Sequence, residues 1–158
     1  MNELSLSNRS RGRPVNLRFA RTLTRALLEE LLGFARYELG VHFVTRADIV
    51  ALHGTYLQDF SPTDVITFDY SDRANGNALH GEIFISVDEA VAQARRFGAS
   101  WQSELARYLV HGVLHLRGFD DLDAARRRVM KREENRLLRA LAGRFALSQL
   151  RRAAKLSR

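Results

Sequence analysis

His111 and His115 stand four residues apart in the run His111-Gly112-Val113-Leu114-His115-Leu116-Arg117-Gly118-Phe119-Asp120-Asp121. On an α-helix, at about 100° per residue, that spacing puts both imidazoles on one stripe. A neutral imidazole offers a nitrogen lone pair, and two on one helix face offer a pair to the same metal ion. Gly118 follows three residues after His115, where a glycine can take φ > 0, end the helix and reverse the chain. The reversal directs Asp120 or Asp121 back towards the imidazoles. Two nitrogens and one carboxylate, with a fourth position open, describe a catalytic zinc site rather than a closed structural one.

The spacing His-x-x-x-His-x-x-Gly-x-x-Asp follows the metzincin protease frame with two changes. Gly112 stands where the protease has the glutamate that takes a proton from water, and Asp121 stands where it has a third histidine. Peptide hydrolysis therefore lacks its proton acceptor. The frame favours Asp121 as the third donor, and Asp120 serves equally well as a cap for the following helix.

These residues need a helix to hold them, and Ser100 caps one that reaches Leu116. Its other faces carry Leu105, Leu109, Val110, Val113 and Leu114, so it is apolar nearly all round and belongs in a core. Glu104 and Tyr108 extend the histidine stripe. Tyr108 reads as core; Glu104 reads most simply as a surface carboxylate, with a bond to an imidazole N–H as the other reading. His42, His53 and His80 read as ordinary surface or core residues.

Around that helix the patterns are short. Residues 3 to 7 alternate as a strand. Thr22 caps a helix whose apolar stripe runs through Leu27, Leu28, Leu31, Leu32, Ala35 and Leu39, with Gly40 as its stop. Val41 to Thr45 is a strand, Ala47 to His53 a short helix, and Gly54 to Thr63 a loop. Val65 to Tyr70 and Leu79 to Val87 are strands joined by a long turn from Ser71 to Ala78. Asp88 caps a helix to Phe97, closed by Gly98. A last helix runs from Asp123 to about Leu141, Gly143 ends it, and Phe145 to Arg158 is a short helix or a frayed basic tail. The sum is an α+β fold: a mixed sheet of about four strands with helices packed on it, its central helix buried and carrying the histidines.

The length of 158 residues fits a single domain spanning 1–158, with a basic C-terminal tail over 143–158. There are no cysteines, so a metal must rest on His, Asp or Glu. No apolar run is long enough to span a membrane and no signal segment opens the chain; both fit a cytoplasmic protein. The net charge of +7 is uneven: residues 126 to 158 hold twelve Arg or Lys against Glu133 and Glu134, a balance of +10, and the rest balances at −3. A near-neutral body with a basic end suits a polyanion such as RNA, and equally a solvated helix face.

The segment His111-Gly112-x-Leu114-His115-Leu116-x-Gly118-Phe119-Asp120 resembles the signature of the YbeY family of bacterial rRNA-maturation endoribonucleases. The resemblance extends to Pro62-Thr63-Asp64-Val65-Ile66-Thr67-Phe68 and to Gly81-Glu82-Ile83-Phe84-Ile85-Ser86, in the same order. Two positions depart from the family pattern: Asp121 replaces its third metal-binding histidine, and Leu57 stands where it has an arginine shortly before the Pro-Thr-Asp block. Aspartate keeps a ligand but lowers the net charge of the site, so a bound water should be less acidic.

The resemblance implies a zinc-dependent, single-strand-specific endoribonuclease trimming the 3′ end of 16S rRNA and serving ribosome quality control. It implies one Zn²⁺ on His111, His115 and Asp121, which are also the catalytic residues, and ribosomal RNA and the small ribosomal subunit as partners. Glu82 and Asp64 are the candidates for the proton acceptor. The alternative is a non-catalytic ribosome-assembly factor that binds RNA, with a structural metal. A metallopeptidase rests on the histidine spacing alone.

Overall fold

Period-two alternation builds the sheet, and the face it buries is the one that meets the histidine helix. The computed structural model describes residues 2–10, 14–57, 64–71 and 78–152. Pro62, Thr63, most of the Ser71–Ala78 turn and the last six residues of the basic tail lie outside the described residues, as does the side chain of Leu57. Strands β1 (Glu3–Asn8), β2 (Arg36–Val44), β3 (Val65–Asp69) and β4 (Ala78–Ser86) form one mixed sheet in the order β1-β2-β4-β3. The β1–β2 and β2–β4 pairs are parallel, and β3 runs antiparallel to β4. This is the α+β architecture expected from the pattern.

The register pairs Leu39 with Gly81, Val41 with Ile83 and Phe43 with Ile85, all facing the main core. Helix α4 (Trp101–Arg117) crosses that face with Leu105, Leu109, Val110, Val113, Leu114 and Leu116 buried. Gly112 lets it come close: a Cβ there would lie 2.8 Å from Ile83 Cγ2. The residue that departs from the protease frame is thus a packing contact between helix and sheet. Helix α3 (Val87–Phe97) flanks α4 on one side and α5 (Ala124–Arg144) on another. On the opposite sheet face, Ile49 of helix α2 (Arg46–Leu57) packs with Val44 and Ile66 into a small cluster flanked by Leu52, Phe68 and Phe84.

Several expected boundaries move. Helix α1 (Leu17–Arg25) begins earlier than Thr22, because the Asn16 side chain accepts from the Phe19 amide at 3.1 Å. It continues as a π-helical turn (Ala26–Leu31), and Gly33 at φ 64° reverses the chain. Leu39 and Gly40 therefore belong to β2, not to a helix and its stop. Tyr37, Leu39, Val41 and Phe43 are all buried at period two, and that pattern overrides the coincidence of Leu39 with the helical stripe. α2 extends past His53 through Gly54, which is buried.

Ser86 rather than Asp88 caps α3, with its hydroxyl accepting from the Glu89 amide at 3.2 Å; Asp88 instead accepts from the Arg46 amide at 3.0 Å. α5 passes through Gly143 to Arg144. The start of the basic segment then docks rather than frays. A 3₁₀ turn (Leu147–Leu150) buries Leu150, the Asn16 amide donates to the Leu150 carbonyl at 2.7 Å, and Val15 bridges Arg151. Among the described residues no helix is long and apolar enough to cross a membrane.

Candidate metal centre

Ser100 accepts from the Ser103 amide at 3.1 Å to start α4, and Gly118 at φ 111° ends it, its amide donating to the His115 carbonyl at 3.0 Å. His111 and His115 occupy the last two turns, both half-buried, their rings at 75° with centroids 4.7 Å apart. Their Nε2 atoms are 3.1 Å apart. After the reversal, Asp121 returns so that one donor atom from each of His111, His115 and Asp121 lies within 4.8 Å of the others. Asp120 is engaged elsewhere: it accepts from the Leu122 amide at 3.2 Å and from Arg126 at 3.4 Å. Of the two aspartates, the turn therefore leaves Asp121 for the site, exposed where the imidazoles are not.

The partner that orients His111 is Glu134, on α5. Its Oε2 lies 2.8 Å from His111 Nδ1, and its Oε1 accepts from Arg107 Nη1 at 2.7 Å and Lys131 Nζ at 3.4 Å. Glu134 is only 4% exposed. Burial acts to raise its carboxyl pKa, but the bonds from His111 and Arg107 prevail and hold it down to about 2. An ionised carboxylate there keeps the His111 proton on Nδ1, so Nε2 presents a bare lone pair. Burial lowers the pKa of His115, and the neighbouring His111 lowers it further. Both effects favour the neutral ring and outweigh the opposing pull of Asp121, the Phe119 backbone and Asp120.

The two Nε2 atoms face each other at 3.1 Å, a separation that a proton on His115 satisfies, or, with both lone pairs bare, a cation between them. Zn–N bonds of about 2.0–2.1 Å in tetrahedral geometry hold two nitrogens roughly 3.3 Å apart. The donor set thus suits a divalent ion: two imidazoles, a carboxylate and an open side.

That open side is a cavity of about 930 Å³, lined by His111 and Asp121, by Glu104 and Tyr108 of α4, by Asp64, and by the basic residues Arg127, Arg128 and Lys131 of α5. Tyr108 is buried in its wall. Burial first, then the charges of Asp64, Glu104 and Glu89, push its pKa up, so the phenol stays protonated.

Two sequence expectations change here. The carboxylate bonded to His111 is Glu134, whereas Glu104 lies 3.9 Å from Arg107. Glu82 lies on the far face of the sheet, where it meets His42 at 3.3 Å and the Tyr70 hydroxyl at 3.1 Å, and it does not line this cavity. Asp64 does line it. Glu134 sits on the apolar stripe Met130, Leu137, Leu138 and Leu141 of its helix. An acid on a buried stripe needs a partner, and that was the available signal for it.

The profile of the family described as Endoribonuclease YbeY matches residues 5–142. An endoribonuclease YbeY of Parabacteroides distasonis is 36% identical over 112 residues, covering 71% of this chain and 77% of the relative. One of Bacteroides thetaiotaomicron is 39% identical over 101 residues, covering 64% and 72%. The solution structure of TM1509 from Thermotoga maritima superposes with a TM-score of 0.66 at 19% identity, covering 98% of this chain and 99% of that one, a likeness of fold. With a family match across most of the chain and relatives at this identity, the protein belongs to the YbeY endoribonuclease family.

Proposed function

We propose that the chain, as one domain over residues 1–158, is a zinc-dependent endoribonuclease that cuts single-stranded RNA in ribosomal RNA maturation. The observation that carries the reading is the convergence of His111, His115 and Asp121 within 4.8 Å, beside an open cavity that His111 and Asp121 line. The family suggests the substrate: 16S rRNA near its 3′ end, in the cytoplasm and on the small ribosomal subunit, with a part in ribosome quality control. Zinc is favoured over harder ions because two of the three donors are imidazoles.

Bound there, the ion supplies Lewis acidity towards a phosphodiester oxygen and lowers the pKa of water. The chain does the rest. Glu134 fixes the tautomer and direction of His111, and Arg107 neutralises Glu134. Arg127 and Arg128 draw the phosphate backbone to the cavity wall. Asp64, at the same cavity, is the carboxylate proposed as proton acceptor.

The test is elemental analysis of the purified chain, paired with an RNA cleavage assay before and after chelation. One equivalent of zinc and chelator-sensitive cleavage that His115→Ala abolishes support the reading. Cleavage surviving in metal-free protein rejects the mechanism. RNA bound and protected but never shortened favours the alternative, an assembly factor with a structural metal.

A further inference from the structure

Phe97 is the last residue of α3 and remains 69% exposed, although it lines the same cavity as His111 and Asp121. Gly98 at φ 66° caps the helix directly after it, and the Ala99 amide donates to the Ala94 carbonyl at 2.9 Å. The ring is therefore carried on a fixed corner, not on a loose loop. The Arg96 guanidinium carbon lies 5.5 Å from its centroid, which adds positive charge beside the ring.

α5 brings Arg127, Arg128 and Lys131 to the same cavity. Arg126 is held by Asp120 and Asp123, and Lys131 by Glu134; among the described residues Arg127 and Arg128 have no acidic partner. Single-strand sites combine these two features: an aromatic face for a base and unpaired cations for the backbone. The volume of about 930 Å³ lies at the upper end of the roughly 300–1,000 Å³ typical of small-ligand sites.

We propose that Phe97 is the stacking platform for an unpaired nucleobase of the RNA strand, and that Arg127 and Arg128 take the phosphates beside it. A base inside a duplex is already stacked on its neighbours and cannot use Phe97. Preference for single strands would then arise at the rim of the cavity rather than at the metal. The inference rests on the endoribonuclease reading for its substrate class, but it makes a binding claim that stands apart from cleavage.

The experiment measures binding of the full chain to a labelled 2′-O-methyl oligouridylate, and to its abasic counterpart with the same sugar-phosphate backbone. The wild type should bind the base-bearing strand about tenfold more tightly. Phe97→Ala should erase that preference and leave abasic affinity unchanged, and Phe97→Trp should restore it. Arg127→Ala with Arg128→Ala should weaken both strands alike and flatten the salt dependence by about 1.4 units of slope. Preference retained in Phe97→Ala, or equal loss on both strands, overturns the proposal. A wild type that discriminates bases but never shortens RNA leaves the stack standing and removes the nuclease reading. One that cuts RNA while Phe97→Ala changes neither KM nor binding removes the stack alone.

Discussion

Glu134 Oε2 lies 2.8 Å from His111 Nδ1, so a buried acid of α5 sets the direction of a donor on α4. The bond joins two helices that the intervening turn places side by side, and it decides which ring nitrogen is free. The candidate metal centre is consequently a property of the α4–α5 packing as much as of the histidine motif.

Removing that carboxylate should weaken the metal site without touching a ligand. Glu134→Gln keeps an acceptor but loses the charge, and metal affinity should fall roughly 10–100-fold. Glu134→Ala should be worse, because Arg107 then loses a partner at 2.7 Å. Competition titration with a chromophoric chelator reads both; unchanged affinity in Glu134→Gln means that His111 is oriented by something else.

Acid should act through the same residue. The folded-state pKa of Glu134 is depressed from 4.5 to about 2, so its stabilisation is complete above about pH 4.5 and disappears as pH falls through about 2. A depression of this size corresponds to on the order of 3 kcal/mol. Denaturant unfolding of the metal-free protein across that window should show a steeper loss for the wild type than for Glu134→Gln. Parallel profiles would contradict the assignment.

Metal removal should cost stability as well as cleavage. At free metal roughly a hundred times the Kd, binding stabilises the fold by about 2.7 kcal/mol. Thermal scans with and without chelator should differ for the wild type and coincide for His115→Ala. Asp121→His should keep the difference, since it replaces one donor with another.

Gly112 should tolerate no side chain. A Cβ would meet Ile83 Cγ2 at 2.8 Å and Cδ1 at 3.0 Å, and Ile83 is fully buried. Gly112→Ala should cost about 1–3 kcal/mol by overpacking, a fall of several degrees in Tm. Gly112→Glu, which restores the protease frame, should unfold the chain rather than create a peptidase. A Gly112→Ala variant as stable as the wild type would show that helix and sheet can part cheaply there.

Spacing within one element was readable from the chain alone. Two histidines at i and i+4, the Ser100 cap and the Gly118 reversal all follow from local geometry, as does the alternation that makes β4 a strand. The choice of Asp121 over Asp120 also began in the motif frame, and the turn bonds of Asp120 agree with it. Where two periods coincided over few residues, as at Leu39, local reading chose helix, and burial of alternate residues decided for strand.

Relations between elements needed the assembled fold. Glu82 has the composition of a proton acceptor, yet its register beside His42 faces it away from the metal cavity. Glu134 looked like one of two acids in a basic segment until α5 packed its apolar stripe on α4 and buried the carboxylate against His111. The physical reason is one of range: backbone periodicity fixes which side chains share a face. Which faces then meet is settled by non-local packing, as at Gly112 and Ile83, and no short stretch encodes it.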